Sequence, residues 1–251
     1  MALDLYVYGV TRARAPAPSE DGIEGERPRL LAHGDLAAIV GPAPEGSVLP
    51  SRRNLAAHTA VLQTAMRHAP VAPMRFGVVM PPAAIEQVLL ERARASLTEL
   101  LERLDDLVEL ELKVVYDEEA VLRDVVASEP AVARLSERVR TLPQDAAYYD
   151  RIRLGELTAQ AVERVRAARA ERIVAALRPH AVELRVADEL PERVALKASF
   201  LVASDSVAAF ERTAEEEAAA AAPAFRLHLF GPLPAFSFVE LEELAEATWA
   251  S

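Results

Sequence analysis

Apolar and polar residues alternate with a period of two in several segments, the pattern of half-buried β-strands. This alternation predicts strands at 3–8, 107–116, 182–186, 194–202 and 225–230. Two short apolar runs at 29–33 and 35–41, broken at Gly34, predict a hairpin. The longer apolar run at 71–80 predicts one buried strand.

Between the strands, apolar residues recur at spacings of three and four, the period of amphipathic helices. Ser51 is the predicted N-cap of a helix that ends at Pro70, and Pro81-Pro82 opens the next helix. The remaining helices are predicted at 117–140, at 153–178 and after a cap at Ser204 or Asp205.

The order of these elements predicts the fold class. The second half reads strand, helices, strand, strand, helix, strand, which is the split β-α-β order of ferredoxin-like domains. The first half has a related content of strand, hairpin, helix, strand and helix. We therefore predict an α+β protein with two domains, each with a ferredoxin-like antiparallel sheet and helices. The predicted bounds are 1–105 for the N-terminal domain, 106–231 for the C-terminal domain and 232–251 for a C-terminal tail.

The composition argues against several classes of function. The 251 residues contain 0 Cys, so the chain offers no thiol nucleophile, disulfide or thiolate metal ligand. A net charge of -11 disfavours nucleic acid as a partner, because phosphate contacts need a surplus of Lys and Arg. The apolar runs are far shorter than the roughly 20 residues that span a bilayer, so we expect no membrane partner. The first residues resemble a strand and not a signal peptide, which favours a cytoplasmic protein.

Sequence motifs for catalysis are also missing. Neither a phosphate-binding glycine loop nor a nucleophile elbow occurs, and no two histidines have metal-ligand spacing. His58 and His68, ten residues apart on the first helix, are interpreted as solvated or partly packed. Runs of adjacent acids are interpreted as exposed faces, because catalytic carboxylates need distinct buried environments. We therefore predict a protein that is not an enzyme and has no cofactor and no metal.

Arg75 interrupts the apolar run at 71–80, and a buried arginine requires a partner. In one interpretation Arg75 binds an anion or a carboxylate of another protein. In the other it faces the open side of the sheet, or pairs with Glu109 or Glu111. Both interpretations remain open at this point.

The dipeptide Tyr148-Tyr149 marks the place where a loop meets the long helix. It forms either a ligand-binding corner, or a join in which one tyrosine packs under the loop and Arg151 fixes the connection. An alternative function, a small-molecule-binding or enzymatic ferredoxin-like protein, would use Arg75 and Tyr148.

The end of the chain is unusually apolar and aromatic. Gly231-Pro232 predicts that the last strand ends at Phe230, because proline cannot continue a ladder. Residues 233–238 are predicted to form an extended arm that docks either on the first domain or on a partner, with internal docking favoured. Residues 239–249, which include the single Trp, are predicted to form a short amphipathic helix.

Five short motifs occur in a fixed order along the chain. They are Leu-Tyr-Val-Tyr-Gly-Val at 5–10, Val-Ala-Pro-Met-Arg-Phe-Gly at 71–77, Glu-Leu-Lys-Val-Val-Tyr-Asp at 111–117, Ala-Ser-Phe-Leu-Val at 198–202 and Gly-Pro-Leu-Pro-Ala-Phe-Ser-Phe at 231–238. This set resembles the gas vesicle protein F/L family over essentially the whole chain. The last motif of that family usually reads Gly-Pro-Trp-Pro-Pro-Tyr-Ser-Phe, so Leu233, Ala235 and Phe236 depart from it but keep the segment apolar. The match does not separate an F-like from an L-like member.

The resemblance implies a non-enzymatic accessory or minor structural protein of gas vesicles, the gas-filled protein compartments that give cells buoyancy. It implies a two-domain α+β fold, no cofactor, and a location in the cytoplasm and at the gas vesicle, including the gas-facing side of the shell. The implied partners are the hydrophobic main shell protein, which it would keep from aggregating, and other gas vesicle accessory proteins. The partner-binding residues that we predict are Arg75, Leu233, Phe236, Phe238 and Trp249.

Overall fold

A computed structural model describes residues 3–23, 25–44, 46, 48–143 and 146–239. The chain folds into two compact units. Within the described residues, unit 1 comprises the chain up to Leu110, the segment Leu201–Ser204 and the chain from Gly231 onward. Unit 2 comprises Glu111–Phe200 and Asp205–Phe230. The domain bounds at 105 and 231 stay a prediction.

Unit 1 is built on a five-stranded antiparallel sheet. Its strands are β1 (Leu5–Arg12), β2 (Arg29–His33), β3 (Leu36–Pro42), β4 (Val71–Pro73) and β5 (Val79–Met80). The order is β2-β3-β1-β4, and β5 also pairs with β1. The predicted hairpin is confirmed as β2 and β3, whose register runs from Arg29 opposite Val40 to His33 opposite Leu36.

The prediction of one continuous strand over 71–80 is wrong. The chain leaves the sheet after Pro73 and rejoins it at Val79. Two features of the sequence explain the interruption: Pro73 offers no N–H to a ladder, and Gly77 has a φ of 96°, a conformation that favours glycine. The segment 74–78 between the two strands is therefore irregular.

The helices of unit 1 cover both faces of this sheet. The first helix packs on the face of Tyr8 and Ile39, and the next helix on the face of Val7 and Val40. α1 (Arg52–Met66) begins as predicted, because the Ser51 hydroxyl accepts a hydrogen bond from the Asn54 N–H at 3.1 Å. Pro81-Pro82 opens the next helix, also as predicted. That helix has three parts: α2 (Pro82–Ala84), a π-helical stretch (Ile85–Arg92) and α3 (Arg94–Arg103). Its apolar stripe supplies Ile85, Leu89, Leu97 and Leu101 to the core.

Unit 2 combines strands of a four-stranded sheet with four helices. The strands are β6 (Leu107–Tyr116), β7 (Glu183–Val186), β8 (Val194–Ala203) and β9 (Phe225–Leu233), in the order β7-β8-β6-β9. The helices are α4 (Glu118–Ser128), α5 (Pro130–Thr141), α6 (Tyr148–Leu177) and α7 (Val207–Ala221). An α+β protein with two antiparallel sheets is therefore confirmed, while the ferredoxin-like detail stays a prediction.

Several predicted boundaries differ from the structure. The strand predicted at 3–8 is β1 at 5–12, and the helix predicted at 117–140 is divided into α4 and α5 before Pro130. β9 does not end at Phe230 but continues to Leu233, which an edge strand allows because the outward side of its backbone needs no partner. α6 begins at Tyr148, before the predicted start at 153. The cap of α7 at Ser204 or Asp205 is also wrong, because 204–206 form a 3-10 turn and the Ser204 hydroxyl donates instead to the Asp106 carbonyl.

Candidate partner-binding region

Five rings from four parts of unit 1 form an aromatic cluster. Its members are Tyr6, Tyr8, His58, Phe76 and Phe236. The His58 ring stacks on Tyr8, with centroids 5.5 Å apart, and on Phe236, with centroids 5.8 Å apart. Tyr6, Tyr8 and His58 are buried, whereas Phe76 and Phe236 are half-buried. The interior of the cluster is therefore closed to solvent, while its two phenylalanine rings are partly open to solvent.

His58 is only 2% exposed, so the interpretation as a solvated or partly packed residue is wrong. Its Nε2 lies 3.1 Å from the Met74 carbonyl, which can only accept, so Nε2 carries the hydrogen. Its Nδ1 then accepts from the Tyr6 hydroxyl at 2.8 Å, and that hydroxyl accepts from the Gly77 N–H at 3.1 Å. Sequence patterns missed this site because its partners come from distant parts of the chain.

Burial keeps these polar groups neutral. It lowers the pKa of His58 to about 4, although the hydrogen bond to Met74 opposes the shift. Burial also raises the pKa of Tyr6 to about 12, against the effect of the Gly77 hydrogen bond. At neutral pH the interior of the cluster is therefore uncharged.

Residues 231–239, the tail segment, are bound within unit 1 by three side chains. Gln63 Nε2 donates to the Pro232 carbonyl at 2.8 Å, and Arg103 Nη2 donates to the Phe238 carbonyl at 2.8 Å. The Glu109 carboxylate accepts from the Ser237 N–H at 2.8 Å and from the Ser237 hydroxyl at 2.6 Å. The segment's backbone is thus fixed near both of its ends.

The side chains of the tail segment enter the core of unit 1. Phe238 is 1% exposed and belongs, with Ala235 and Val239, to the apolar cluster that includes Leu97 and Leu101. The prediction that this segment docks internally is confirmed, but the predicted extended form is wrong at 236–238, which form a 3-10 turn. Its first residue must be glycine, because Gly231 has a φ of 144° and a Cβ there would lie 2.6 Å from Leu110 Cδ2.

Glu109, like His58, is buried where its place in the sequence indicated an exposed residue. The alternation along β6 places it on the polar side, as a candidate partner of Arg75, yet it is 2% exposed. A buried carboxylate needs hydrogen-bond donors, and Ser237 supplies two of them. Glu111, the other candidate partner, lies 3.7 Å from Lys197.

Replacing Ser237 with alanine tests this contact. Ser237→Ala removes the hydroxyl donor to a buried carboxylate, so we expect unit 1 to lose about 2 kcal/mol of unfolding free energy. Urea titration followed by circular dichroism measures the loss. Ser128→Ala, which removes an exposed hydroxyl that bonds the Asp124 carbonyl, is the control. Equal midpoints for the two variants would contradict the structural role of the Glu109–Ser237 contact.

The predicted partner-binding residues lie in different environments. Arg75 is exposed in the segment between β4 and β5, next to Phe76. Leu233 and Phe236 are half-buried, and Phe238 is buried in the core. Trp249, with the predicted helix at 239–249, lies outside the described residues apart from Val239. The partner-binding role of all five stays a prediction.

Tyr148 and Tyr149 lie in the first turn of α6 in unit 2. They are 61% and 82% exposed, so the interpretation that one of them packs under the preceding loop is wrong. Within the described residues, the join between α5 and α6 carries an ion pair of Arg138 with Asp150 at 2.8 Å. The role of Arg151 there stays a prediction.

Unit 1 also contains a polar groove of about 360 Å³, which is a candidate ligand site. Its charged lining is mixed and includes Arg12, Arg14, Arg67, Asp105 and Asp106. Within the described ranges, no three His, Asp or Glu residues are placed to hold a metal ion. Among the helices described above, none combines the length and apolar character needed to cross a membrane.

Comparison with known families identifies the chain's relatives. Residues 4–240 match the model of a family described as gas vesicle synthesis protein GvpL/GvpF. The chain belongs to this family. The resemblance inferred from the five ordered motifs is thereby confirmed, and the match covers both units of this GvpL/GvpF family member.

Individual relatives agree with the family match. Gas vesicle protein F of a Streptomyces strain is 38% identical over 242 residues, which cover 95% of this chain and 100% of that protein. Gas vesicle protein L of the same strain is 37% identical over 123 residues, which cover 43% of this chain and 46% of that protein.

Solved structures share the fold. The crystal structure of GvpF from Anabaena sp. has a TM-score of 0.79 at 22% identity and covers 95% of this chain and 98% of its own. The crystal structure of GvpF from Microcystis aeruginosa has a TM-score of 0.76 at 21% identity, with coverages of 95% and 100%. This GvpL/GvpF family member therefore has the fold of both.

Proposed function

We propose that this GvpL/GvpF family member is a non-enzymatic gas vesicle assembly or minor structural protein. It binds the hydrophobic main shell protein and keeps that protein from aggregating while a vesicle nucleates. It acts in the cytoplasm and at the gas vesicle, on the gas-facing side of the shell, together with other gas vesicle accessory proteins. The family match over residues 4–240 carries this proposal.

The surface that we propose for the shell protein is the aromatic rim, defined as Arg75, Phe76, Leu233 and Phe236. Phe76 and Phe236 both lie against His58, with ring centroids 5.9 Å and 5.8 Å from it. Half-buried aromatic and apolar side chains are favoured at protein interfaces, and Arg is enriched there too. The interior beneath the rim is neutral, so Arg75 supplies the charge of this surface.

Phe238 has a different role in this proposal. Its ring is buried in the core of unit 1, and its carbonyl is bound by Arg103. It therefore positions Phe236 and Leu233 and does not contact the partner itself. Trp249 remains a predicted partner contact.

Replacing Leu233 with aspartate tests the proposed surface. A charge in the rim would have to be desolvated on binding, so we expect Leu233→Asp to weaken capture of the main shell protein by about tenfold. The measurement is co-expression with the shell protein, followed by pull-down and by quantification of soluble shell protein. The matched control is Phe230→Asp, on the same strand, where the native side chain is 50% exposed.

The outcomes separate the surface from the function. If Leu233→Asp loses binding and Phe230→Asp does not, the result supports both the proposed surface and the proposed function. Equal binding by the wild type and both variants assigns the shell protein to another surface. A wild-type chain that neither binds the shell protein nor raises its soluble fraction overturns the proposed function.

A further inference from the structure

The polar groove of unit 1 carries charges of both signs that do not neutralise each other. Arg12 and Arg14 lie at and after the end of β1, Arg67 follows α1, and Asp105 and Asp106 lie in the turn between α3 and β6. Within the described residues, no ion pair joins either aspartate to any of these three arginines. The groove is therefore lined by two sets of opposite charge that have no partner in each other.

Both sets of charges have free capacity for a ligand. Arg14 is exposed and has no side-chain partner among the described residues. Arg67 donates from Nη2 to the Thr64 hydroxyl at 2.8 Å, but a guanidinium has five N–H donors, so others remain. Asp106 accepts from the Ser204 N–H at 2.8 Å through its backbone carbonyl, which leaves its carboxylate available. The Asp105 side chain is also exposed, so two carboxylates can accept from a cationic group.

The groove also has an apolar part that is held in place by the core. Leu104 and Ala235 line it and belong to the apolar core of unit 1, where they are 3% and 4% exposed. Pro234 lines it too, within the tail segment whose backbone is fixed near both of its ends. The volume of about 360 Å³ lies within the range of ~300–1,000 Å³ that is typical of small-molecule sites. The groove is therefore preformed and of a suitable size for a small ligand.

We propose that this groove binds a small zwitterion with an apolar body, of the class of free amino acids and short peptides. The carboxylate of the ligand pairs with Arg14 and Arg67. Its ammonium pairs with Asp105 and Asp106, and its body covers Leu104. A simple anion would be repelled by the aspartates and a simple cation by the arginines, so a molecule that carries both charges fits better. This inference does not depend on the proposed function.

Three zwitterions of increasing length test the proposal: leucine, alanyl-leucine and alanyl-alanyl-leucine. Each is titrated to about 10 mM into the isotope-labelled full chain at low ionic strength, where exposed charges are screened least. We expect one or more of them to bind with a dissociation constant of about 1 mM. Binding should shift the NMR signals of the backbone amides at 66–69 and 105–107, and added salt should weaken it.

Blocked forms of the ligand that binds show whether both of its charges are required. Acetylation removes the ammonium, and amidation removes the carboxylate. Each blocked form should bind about tenfold more weakly, because one set of groove charges then loses its partner and repels the charge that remains. Equal binding of the acetylated form would make the groove an anion site, and equal binding of the amidated form would make it a cation site. Either result overturns the proposal.

Two variants assign each ligand charge to its side of the groove. Arg14→Gln should weaken binding of the zwitterion by about fivefold without weakening the amidated form. Asp105→Asn should weaken the zwitterion by about the same factor without weakening the acetylated form. Both native side chains are exposed, so the circular dichroism spectrum should not change. Arg53→Gln and Glu119→Gln, which remove exposed charges outside the groove, are the matched controls. Failure of all three zwitterions to bind, or equal binding by the groove variants and their controls, overturns the proposal.

Discussion

Phe238→Ala is expected to lower the unfolding free energy of unit 1 by about 3–5 kcal/mol, the cost of truncating a fully buried phenylalanine. The ring is 1% exposed and belongs to the same apolar cluster as Leu97 and Leu101 of α3. Its removal leaves a cavity and also weakens the docking of the tail segment. Urea or thermal unfolding of the full chain measures the loss.

The control for this change is Phe230→Ala, in which the native ring is 50% exposed. We expect that variant to unfold close to the wild type. Because the chain has two units, hydrogen exchange read by mass spectrometry should locate the loss. Faster exchange in β1 and α3, with β7 and α7 unchanged, agrees with the structure. Equal stabilities of the two variants would contradict the role of the tail segment as part of the core.

Local periodicity predicted the elements whose residues depend mainly on their immediate neighbours. The hairpin of β2 and β3, the position of strand β8 and the Ser51 cap of α1 were all predictable in this way, although β8 is buried on both sides and not half-buried as predicted. The apolar, proline-stiffened end of the chain also indicated internal docking, because an aromatic segment gains most by leaving water. The hairpin, the strand and the cap agree with the structure because their signals are short-range.

The interrupted elements show where the same reasoning fails. The run at 71–80 has the apolar character of a strand, but Pro73 and Gly77 impose backbone restrictions that hydrophobicity does not report. β9 shows the opposite error: Pro232 predicted the end of the strand, but the strand continues through it. Whether a proline ends a strand depends on its place in the sheet, and an edge position is not visible in the sequence.

The candidate region was the least predictable part because its contacts join distant residues. Glu109 and Ser237 are separated by 128 positions, and Tyr6 and His58 by 52. A polar residue in an alternating strand is predicted to lie on the exposed side, because the sequence does not show that a distant partner could bind it in the interior. The family motif around 231–238 was the available signal, and it drew attention to the tail segment but not to the carboxylate that binds it.

His58 should make the stability of unit 1 depend on pH between about 4 and 6.5. Its pKa is about 4 in the folded protein, against 6.5 ordinarily. Above pH 6.5 the imidazole is neutral in both states, so it has no effect. As the pH falls below 6.5, the unfolded chain binds a proton that the folded chain does not, and stability decreases. The loss grows by about 1.4 kcal/mol per pH unit and reaches about 3 kcal/mol near pH 4.

Carboxylates also titrate near pH 4, so a difference measurement is required. The unfolding free energy of the wild type is compared with that of His58→Gln between pH 7 and pH 4.5. The variant cannot take up the proton, so it should lose less stability over this range. His68→Gln, which replaces an exposed histidine, should follow the wild-type curve.

NMR titration of the imidazole carbons tests the cause directly. We expect the His58 signals to stay constant from pH 8 to about pH 5, because burial disfavours the charged imidazolium. A midpoint near 6.5 in the folded protein, or parallel stability curves for wild type and His58→Gln, would contradict the neutral buried imidazole. Since Phe76 and Phe236 pack on this ring, its neutrality also means that no charge lies beneath these two side chains at cellular pH.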